Sequence, residues 1–254
     1  MKIEIQNLRK KFGSREVLKG LSLNIEPGAV SGLVGPNACG KTTLIKCILG
    51  LTIPTSGEIL VGGKSIHREW DYRRKIGYMP QNPNFPPNLT FIELLEMLED
   101  LRNEDRSKSC EELVDIFGLR ECLDKPFSTM SGGTKQKCAA VAAFMFDPDI
   151  LILDEPSVGL DPVAALKLKE LVLQSVNKGK SVLLVSHIMT EVEQLVQRMV
   201  FLLEGEAAFS GNVDQLREQT GEDKLENAIV KMMLSRKPER AFEIIGHHQR
   251  MGSQ

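Results

Sequence analysis

The sequence has no apolar run long enough to cross a bilayer. The longest, Cys138 to Phe146 and Ile150 to Leu153, fall far short of the roughly 18–20 residues a membrane helix requires. It also has no apolar signal core, because Met1-Lys2-Ile3-Glu4-Ile5-Gln6 alternates apolar and polar residues, as the start of a strand does. No run of five basic residues occurs and the net charge is −2, from 32 Lys and Arg against 34 Asp and Glu, so no nucleic-acid partner is expected. Cysteine is sparse. The five residues (Cys39, Cys47, Cys110, Cys122, Cys138) are scattered and never spaced C-x-x-C, which argues against a thiolate zinc site and for free thiols in a reducing compartment. These absences predict a cytoplasmic protein, and 254 residues that are 42% hydrophobic suffice for a real core.

The strongest positive signal is Gly35-Pro36-Asn37-Ala38-Cys39-Gly40-Lys41-Thr42, which follows the apolar run Val30 to Val34 and precedes the helix-prone Thr43 to Leu49. It fits G-x-x-x-x-G-K-[ST]: backbone amides wrap phosphates, the lysine reaches the β/γ oxygens, and the last hydroxyl holds Mg²⁺. The order strand, loop, helix also aims the positive end of a helix dipole at the same phosphates. A nucleoside triphosphate site is expected here.

Around it, Ile3 and Ile5, then Leu21, Leu23 and Ile25, then Gly57 to Gly63, have the pattern of short antiparallel strands beside the nucleotide strand. Lys75 to Gln81 runs into a loop with four prolines in eight residues, which prevents regular structure. Thr90 and Glu93 form a capping-box start for a helix through about Leu101, and Glu111 to Phe117 gives a second helix stopped at Gly118. Residues from about 84 to 146 are thus expected to be mainly helical. The continuous apolar runs Ile150 to Leu153 and Val182 to Val185, with a helical spacing between them, predict a parallel βαβ unit whose strand ends, Asp154/Glu155 and Ser186/His187, share one sheet edge. Phe201 to Leu203 is expected as the last strand, and Val213 to Leu234 as helix. This divides the chain into an ATPase domain over 1–211 and a helical extension over 212–254 with a disordered tail.

A second anion site is encoded at Ser131-Gly132-Gly133-Thr134, where Ser131 caps the helix Lys135 to Phe146. Two helix-start phosphate sites would crowd one nucleotide within one chain. A head-to-tail homodimer, each subunit completing the other's site around ATP, resolves the count.

With these motifs in this order the sequence resembles the ATP-binding cassette (ABC) ATPases over roughly residues 1 to 235. The resemblance implies an α/β fold: a P-loop NTPase core with a parallel sheet, an antiparallel β-subdomain and a helical subdomain. It implies ATP and Mg²⁺ as cofactors. The Walker A loop is then Gly35 to Thr42, continuing into Thr43; the Q-loop glutamine is Gln81; the signature is Met130 to Thr134; Walker B is Ile150 to Asp154 followed by Glu155; the D-loop is Gly159-Leu160-Asp161; the switch histidine is His187; and Phe12 is the aromatic that stacks on adenine. Phosphoryl transfer to water asks mainly for positioning and charge neutralisation. Lys41 and the loop amides act on β/γ oxygens, Thr42 and Asp154 serve Mg²⁺, Glu155 polarises the attacking water, His187 bonds the γ-phosphate, and Gln81 senses metal and γ-phosphate.

Three departures stand out. Ala38 sits where the family most often has glycine, adding a Cβ to a loop that needs unusual backbone angles, Cys39 is a small thiol in that loop, and Thr134 replaces the usual signature glutamine. Cys39, flanking Gly40 and Lys41, is expected to lie against bound phosphates, so that MgATP would shield its thiol. Phe85, an aromatic in a polar loop, is expected to contact a partner.

The resemblance implies the ATP-hydrolysing subunit of an export-type transporter, peripheral on the inner face of the cell membrane and powering a separate transmembrane permease. Cys39, Gly77 to Gln81 and Ser131 to Lys137 further resemble ATPases that assist copper-site maturation of nitrous-oxide reductase. The alternative is a soluble ABC ATPase not coupled to transport.

Overall fold

A computed structural model describes residues 1–103 and 109–236; the tail expected to be disordered, about the last fifteen residues, lies outside them. Two sheets organise the chain. The larger has β3 (Ala29–Val34) near its centre, with β8 (Ser181–Val185), β7 (Ile150–Asp154) and β6 (Ile76–Met79) in parallel on one side, and β9 (Arg198–Leu203) in parallel on the other. An antiparallel β10 (Glu206–Gly211) closes that edge. The smaller sheet, of order β2-β1-β4-β5, is antiparallel: β1 (Ile3–Phe12), β2 (Arg15–Ile25), β4 (Ser56–Val61) and the short β5 (Lys64–Ser65).

Strands β7 and β8 are buried at every residue, as continuous apolar runs covered on both faces must be. Their side chains alternate between two cores. Leu151, Leu153, Val182 and Leu184 face a cluster shared with the helices, whereas Ile150, Ile152, Leu183 and Val185 face one shared with α1 (Lys41–Ile48) and the antiparallel sheet. The expected βαβ unit is present, with α5 (Pro162–Asn177) as crossover. Asp161 caps α5 by accepting the Ala164 amide at 2.9 Å, and Pro162 starts it.

The capping box opens α2 (Phe91–Arg102): Glu93 N–H donates to Thr90 Oγ1 at 3.3 Å and Thr90 N–H to Glu93 Oε2 at 2.8 Å. α3 (Ser109–Ile116) and α4 (Gly132–Phe144) complete the helical stretch. Helix α4 crosses β6 at Gly77, where an added Cβ would lie 2.0 Å from the Ala143 carbonyl oxygen, so only glycine lets the two backbones meet. After α6 (Met189–Leu195) and the β9–β10 hairpin come α7 (Val213–Thr220) and α8 (Leu225–Arg236), broken at the left-handed Gly221. Their Leu216, Leu225, Ala228 and Met232 enter the same core as α5. Among the described residues no helix is long and apolar enough to cross a membrane.

Two expectations need correction. Phe201 to Leu203 is not the last strand, because Gly205, at φ 86°, turns the chain back into β10. Strand β1 continues to Phe12 and pairs with β2 through register shifts that disguise its alternation. Phe85 is also anchored locally: its ring stacks on Phe127 at 4.3 Å between centroids, half-buried against the helical core. The loop is sewn down beside it, with Phe127 N–H donating to Leu89 O and Ser128 N–H to Pro87 O, both at 2.9 Å. A polar, proline-rich composition hides such an anchor because the partner ring is forty residues away in sequence.

Candidate functional site

The C-terminal ends of β3, β6 and β7 and the tip of the β1–β2 hairpin surround a cleft of about 420 Å³, lined by Phe12, Arg15, Val17, Asn37, Ala38, Gly40, Lys41, Thr42, Thr43, Gln81, Asp154 and Glu155. This is the edge at which parallel α/β sheets take ligands. The glycine loop leaves β3 and enters α1 through Gly40 at φ 116°, and Leu44 N–H closes the first helical turn on Gly40 O at 2.9 Å. Ala38 adopts φ 61°, confirming that the loop demands a left-handed angle at this alanine, where glycine would sit without strain.

Lys41 bends back over the loop, its Nζ donating to Gly35 O at 2.6 Å and Pro36 O at 3.0 Å. Opposite it stand two buried carboxyls. Burial first, then the neighbouring charge of Glu155, pushes the Asp154 carboxyl up to about 6, while Lys41 pulls it down. Glu155 is held in a left-handed conformation at φ 51°, its amide donating to Val185 O at 2.8 Å. Its Oε2 accepts the His187 amide at 3.2 Å and lies 2.7 Å from His187 Nδ1, so the two strand ends meet as the βαβ reading requires. The His187 ring is otherwise exposed.

The structure separates some of the expected residues from the cleft. Gly35 and Pro36 support Lys41 through their carbonyls and do not line the cavity. Cys39 folds under the loop, its Sγ 4.0 Å from Lys41 Nζ. It is buried in the core beneath the antiparallel sheet, its carbonyl accepts the Gly205 amide at 3.0 Å, and burial raises its thiol pKa against the lowering influence of Lys41. The thiol thus sits beside the lysine expected to take phosphate but is closed to solvent. Alkylation of the native protein should modify Cys39 more slowly than the half-buried Cys122, with no change on adding MgATP, as peptide mapping of the label would show. Rapid labelling blocked by MgATP would contradict this orientation.

Ser131, Gly132 and Gly133 also lie outside this cleft. Ser131 caps α4, its Oγ accepting the Thr134 amide at 3.1 Å, and among the described residues nothing beyond its chain neighbours and its own helix lies within 4 Å of a Cβ built on Gly132. A Cβ on Gly133 would meet Gly159 O at 2.6 Å, Lys137 pairs with Asp161 at 2.6 Å, and Gln136 Nε2 donates to Pro156 O at 3.3 Å. The start of α4 is thus tied to the loop leaving β7 while Ser131 and Gly132 stay exposed.

Sequence reasoning missed Arg15 and Val17 in the cleft. The pairing of Phe12 with Arg15 across the hairpin places them there, and the register shifts in β1 concealed that pairing. Phe12 is half exposed with Lys10 Nζ 4.8 Å from its ring centre.

The profile of the family described as "ABC transporter" matches residues 18–158, which carry the glycine loop, Gln81, the Ser131 turn and the Asp154/Glu155 pair. The chain belongs to the ABC transporter family. A profile described as "AAA domain, putative AbiEii toxin, Type IV TA system" also matches residues 124–193. Among curated relatives, the linearmycin resistance ATP-binding protein LnrL of Bacillus subtilis (strain 168) is 35% identical over 227 residues, 88% of this chain and 73% of its own. The lantibiotic transport ATP-binding protein SrtF of Streptococcus pyogenes is 32% identical over 237 residues, 92% of this chain and 99% of its own. A solved ATP-binding subunit of an ABC transporter superposes with a TM-score of 0.85 at 30% identity, covering 92% of this chain and all of the other. The ATP-binding cassette MJ0796, in a dimeric post-hydrolysis state bound to ADP and Pi, superposes with a TM-score of 0.74 at 27% identity over 83% of this chain and 98% of its own. The two-sheet architecture is thus the ABC ATPase fold, and the chain is an ATP-binding ABC ATPase subunit.

Proposed function

We propose that this ABC subunit hydrolyses ATP between two head-to-tail copies and thereby drives a separate transmembrane permease of an export system. The observation that carries the reading is the convergence of Lys41, Thr42, Gln81, Asp154 and Glu155 on one cleft while Ser131 and Gly132, at the start of α4, stay exposed for the opposite copy. Phe12 offers its face to adenine, and the amides of Asn37 to Thr43, with the α1 dipole, take the phosphates. Lys41 exchanges its carbonyl partners Gly35 and Pro36 for β/γ oxygens. Glu155, oriented by the His187 amide and ring, accepts the proton of the attacking water, and His187 bonds the γ-phosphate.

The donor set fits Mg²⁺. Asp154 and Thr42 supply hard oxygens with Gln81 beside them, and a carboxyl raised toward 6 by burial and a like charge is one a divalent cation would return to its ionised form. The ion's contribution is neutralisation of phosphate charge.

Docking to the permease is assigned to a face with several exposed apolar side chains. Ile53 (74% exposed), Leu51 (66%) and Trp70 (66%) project beside a groove of about 1000 Å³ lined by Ile53, Ile59, Ile66 and Trp70 together with polar residues such as Glu58, Arg68 and Arg73. A tryptophan left this open is the residue type that dominates interface energies once covered. Replacing Ile53 by Ser and Trp70 by Ala should shift the protein from sedimented membranes to the supernatant, with melting temperature and ATP affinity near wild type. Equal membrane retention would contradict the assignment. As cargo we propose supply to copper-site maturation of nitrous-oxide reductase, supported by the resemblance of Cys39, Gly77 to Gln81 and Ser131 to Lys137 to that subgroup; the relatives named above serve linearmycin resistance and lantibiotic transport.

A further inference from the structure

Behind the His187 turn runs a polar chain that the nucleotide chemistry does not use. Ser186, the residue after β8, is 1% exposed. Its Oγ donates to Glu191 Oε2 at 2.8 Å and accepts the Ile188 amide at 3.0 Å. A hydroxyl carries one proton, so once that proton is committed to Glu191, a lone pair is left facing the Ile188 N–H. Ser186 and Ile188 flank His187, and the bond between them spans it, fixing the backbone angles that direct both its amide and its ring. Both of these end on Glu155 Oε2, at 3.2 Å and 2.7 Å.

We propose that Glu191 and Ser186 are positioning residues for hydrolysis: Glu191 orients the Ser186 hydroxyl, the hydroxyl sets the turn, and the turn places His187 and, through it, Glu155. Neither residue lines the nucleotide cleft. Glu191 also lies in the first turn of α6, whose N-cap Ile188 makes no side-chain cap bond, so a purely helix-stabilising role is the competing explanation. The two differ in what they protect. Helix stabilisation protects the melting temperature, whereas positioning protects turnover, since α6 is held to the core by buried Val192 and Leu195 whatever Glu191 does.

The inference rests on the role proposed for His187, and the experiment separates the two. In the full chain, Glu191→Ala is expected to lower kcat by on the order of tenfold, with KM for MgATP and melting temperature near wild type. Glu191→Gln, whose amide oxygen still accepts from Ser186, should recover most of the rate. Ser186→Ala combined with Glu191→Ala should be no slower than the slower single variant, as expected when both act along one chain. The His187 ring resonance, assigned by its loss in His187→Ala, should move in Glu191→Ala. An unmoved resonance, or kcat falling together with melting temperature and no recovery in Glu191→Gln, would overturn the relay. Wild-type turnover in His187→Ala would overturn the role of His187 instead, and the ring resonance would still judge whether Glu191 positions it.

Discussion

Glu155→Gln is expected to bind ATP, to lose turnover by about 10²–10³-fold, and to accumulate as an ATP-bound dimer on gel filtration. The substitution is nearly isosteric. Its amide oxygen can still accept the His187 amide now bonded to Glu155 Oε2 at 3.2 Å, so the left-handed turn at φ 51° is kept. What is lost is the capacity to take a proton from water. Removing one of two adjacent carboxylates also relieves the charge that helps raise Asp154, so nucleotide affinity should not fall. With opening dependent on hydrolysis, the closed state persists. Near wild-type turnover would remove Glu155 from the role of base.

The other large effect is expected at Gly35→Ala. A Cβ there would lie 2.2 Å from the Leu202 carbonyl oxygen and 2.8 Å from Cys39 Sγ, between the glycine loop and β9. Backbone cannot give way as a flexible side chain does. We expect about 3 kcal/mol of destabilisation, the upper end for overpacking, and hence a melting temperature lower by about 6–12 °C. The same shift distorts the glycine loop whose amides are to take the phosphates, so ATP affinity should fall as well. A stable Gly35→Ala protein with normal ATP binding would show that the loop is not pinned against β9.

Much of this was legible in the sequence because the decisive signals are local. The glycine loop needs its residues contiguous, and Thr90 with Glu93 and the capping Ser131 each announce a helix start locally. The fully buried strands β7 and β8 are legible for the same reason, since burial on both faces leaves an unbroken apolar run. What stayed hidden depends on distant partners. The stacking of Phe85 on Phe127, the burial of Cys39 behind its loop and the entry of Arg15 into the cleft follow from contacts across forty residues, the meeting of two sheets, and a hairpin with shifted register. Strand β10 was missed because Glu206 to Gly211 is largely half-exposed and has no apolar alternation of its own.

The central claim is that each nucleotide is held by the cleft of one copy and the Ser131 turn of the other. Lys41→Ala removes the cleft's cation, and Ser131→Arg sets a bulky side chain on the exposed turn that faces the opposite copy while removing the cap on the Thr134 amide; each protein alone should be inactive, the second with a melting temperature lowered only by the loss of that cap. Mixed in equal amounts, half of the dimers pair the two, and each of these has one intact site, formed by the cleft of the Ser131→Arg copy and the signature turn of the Lys41→Ala copy. The account predicts that the mixture recovers ATPase activity, to about a quarter of the wild-type rate for independent sites. A mixture as inactive as its components, or a Ser131→Arg protein that hydrolyses ATP on its own, would contradict it.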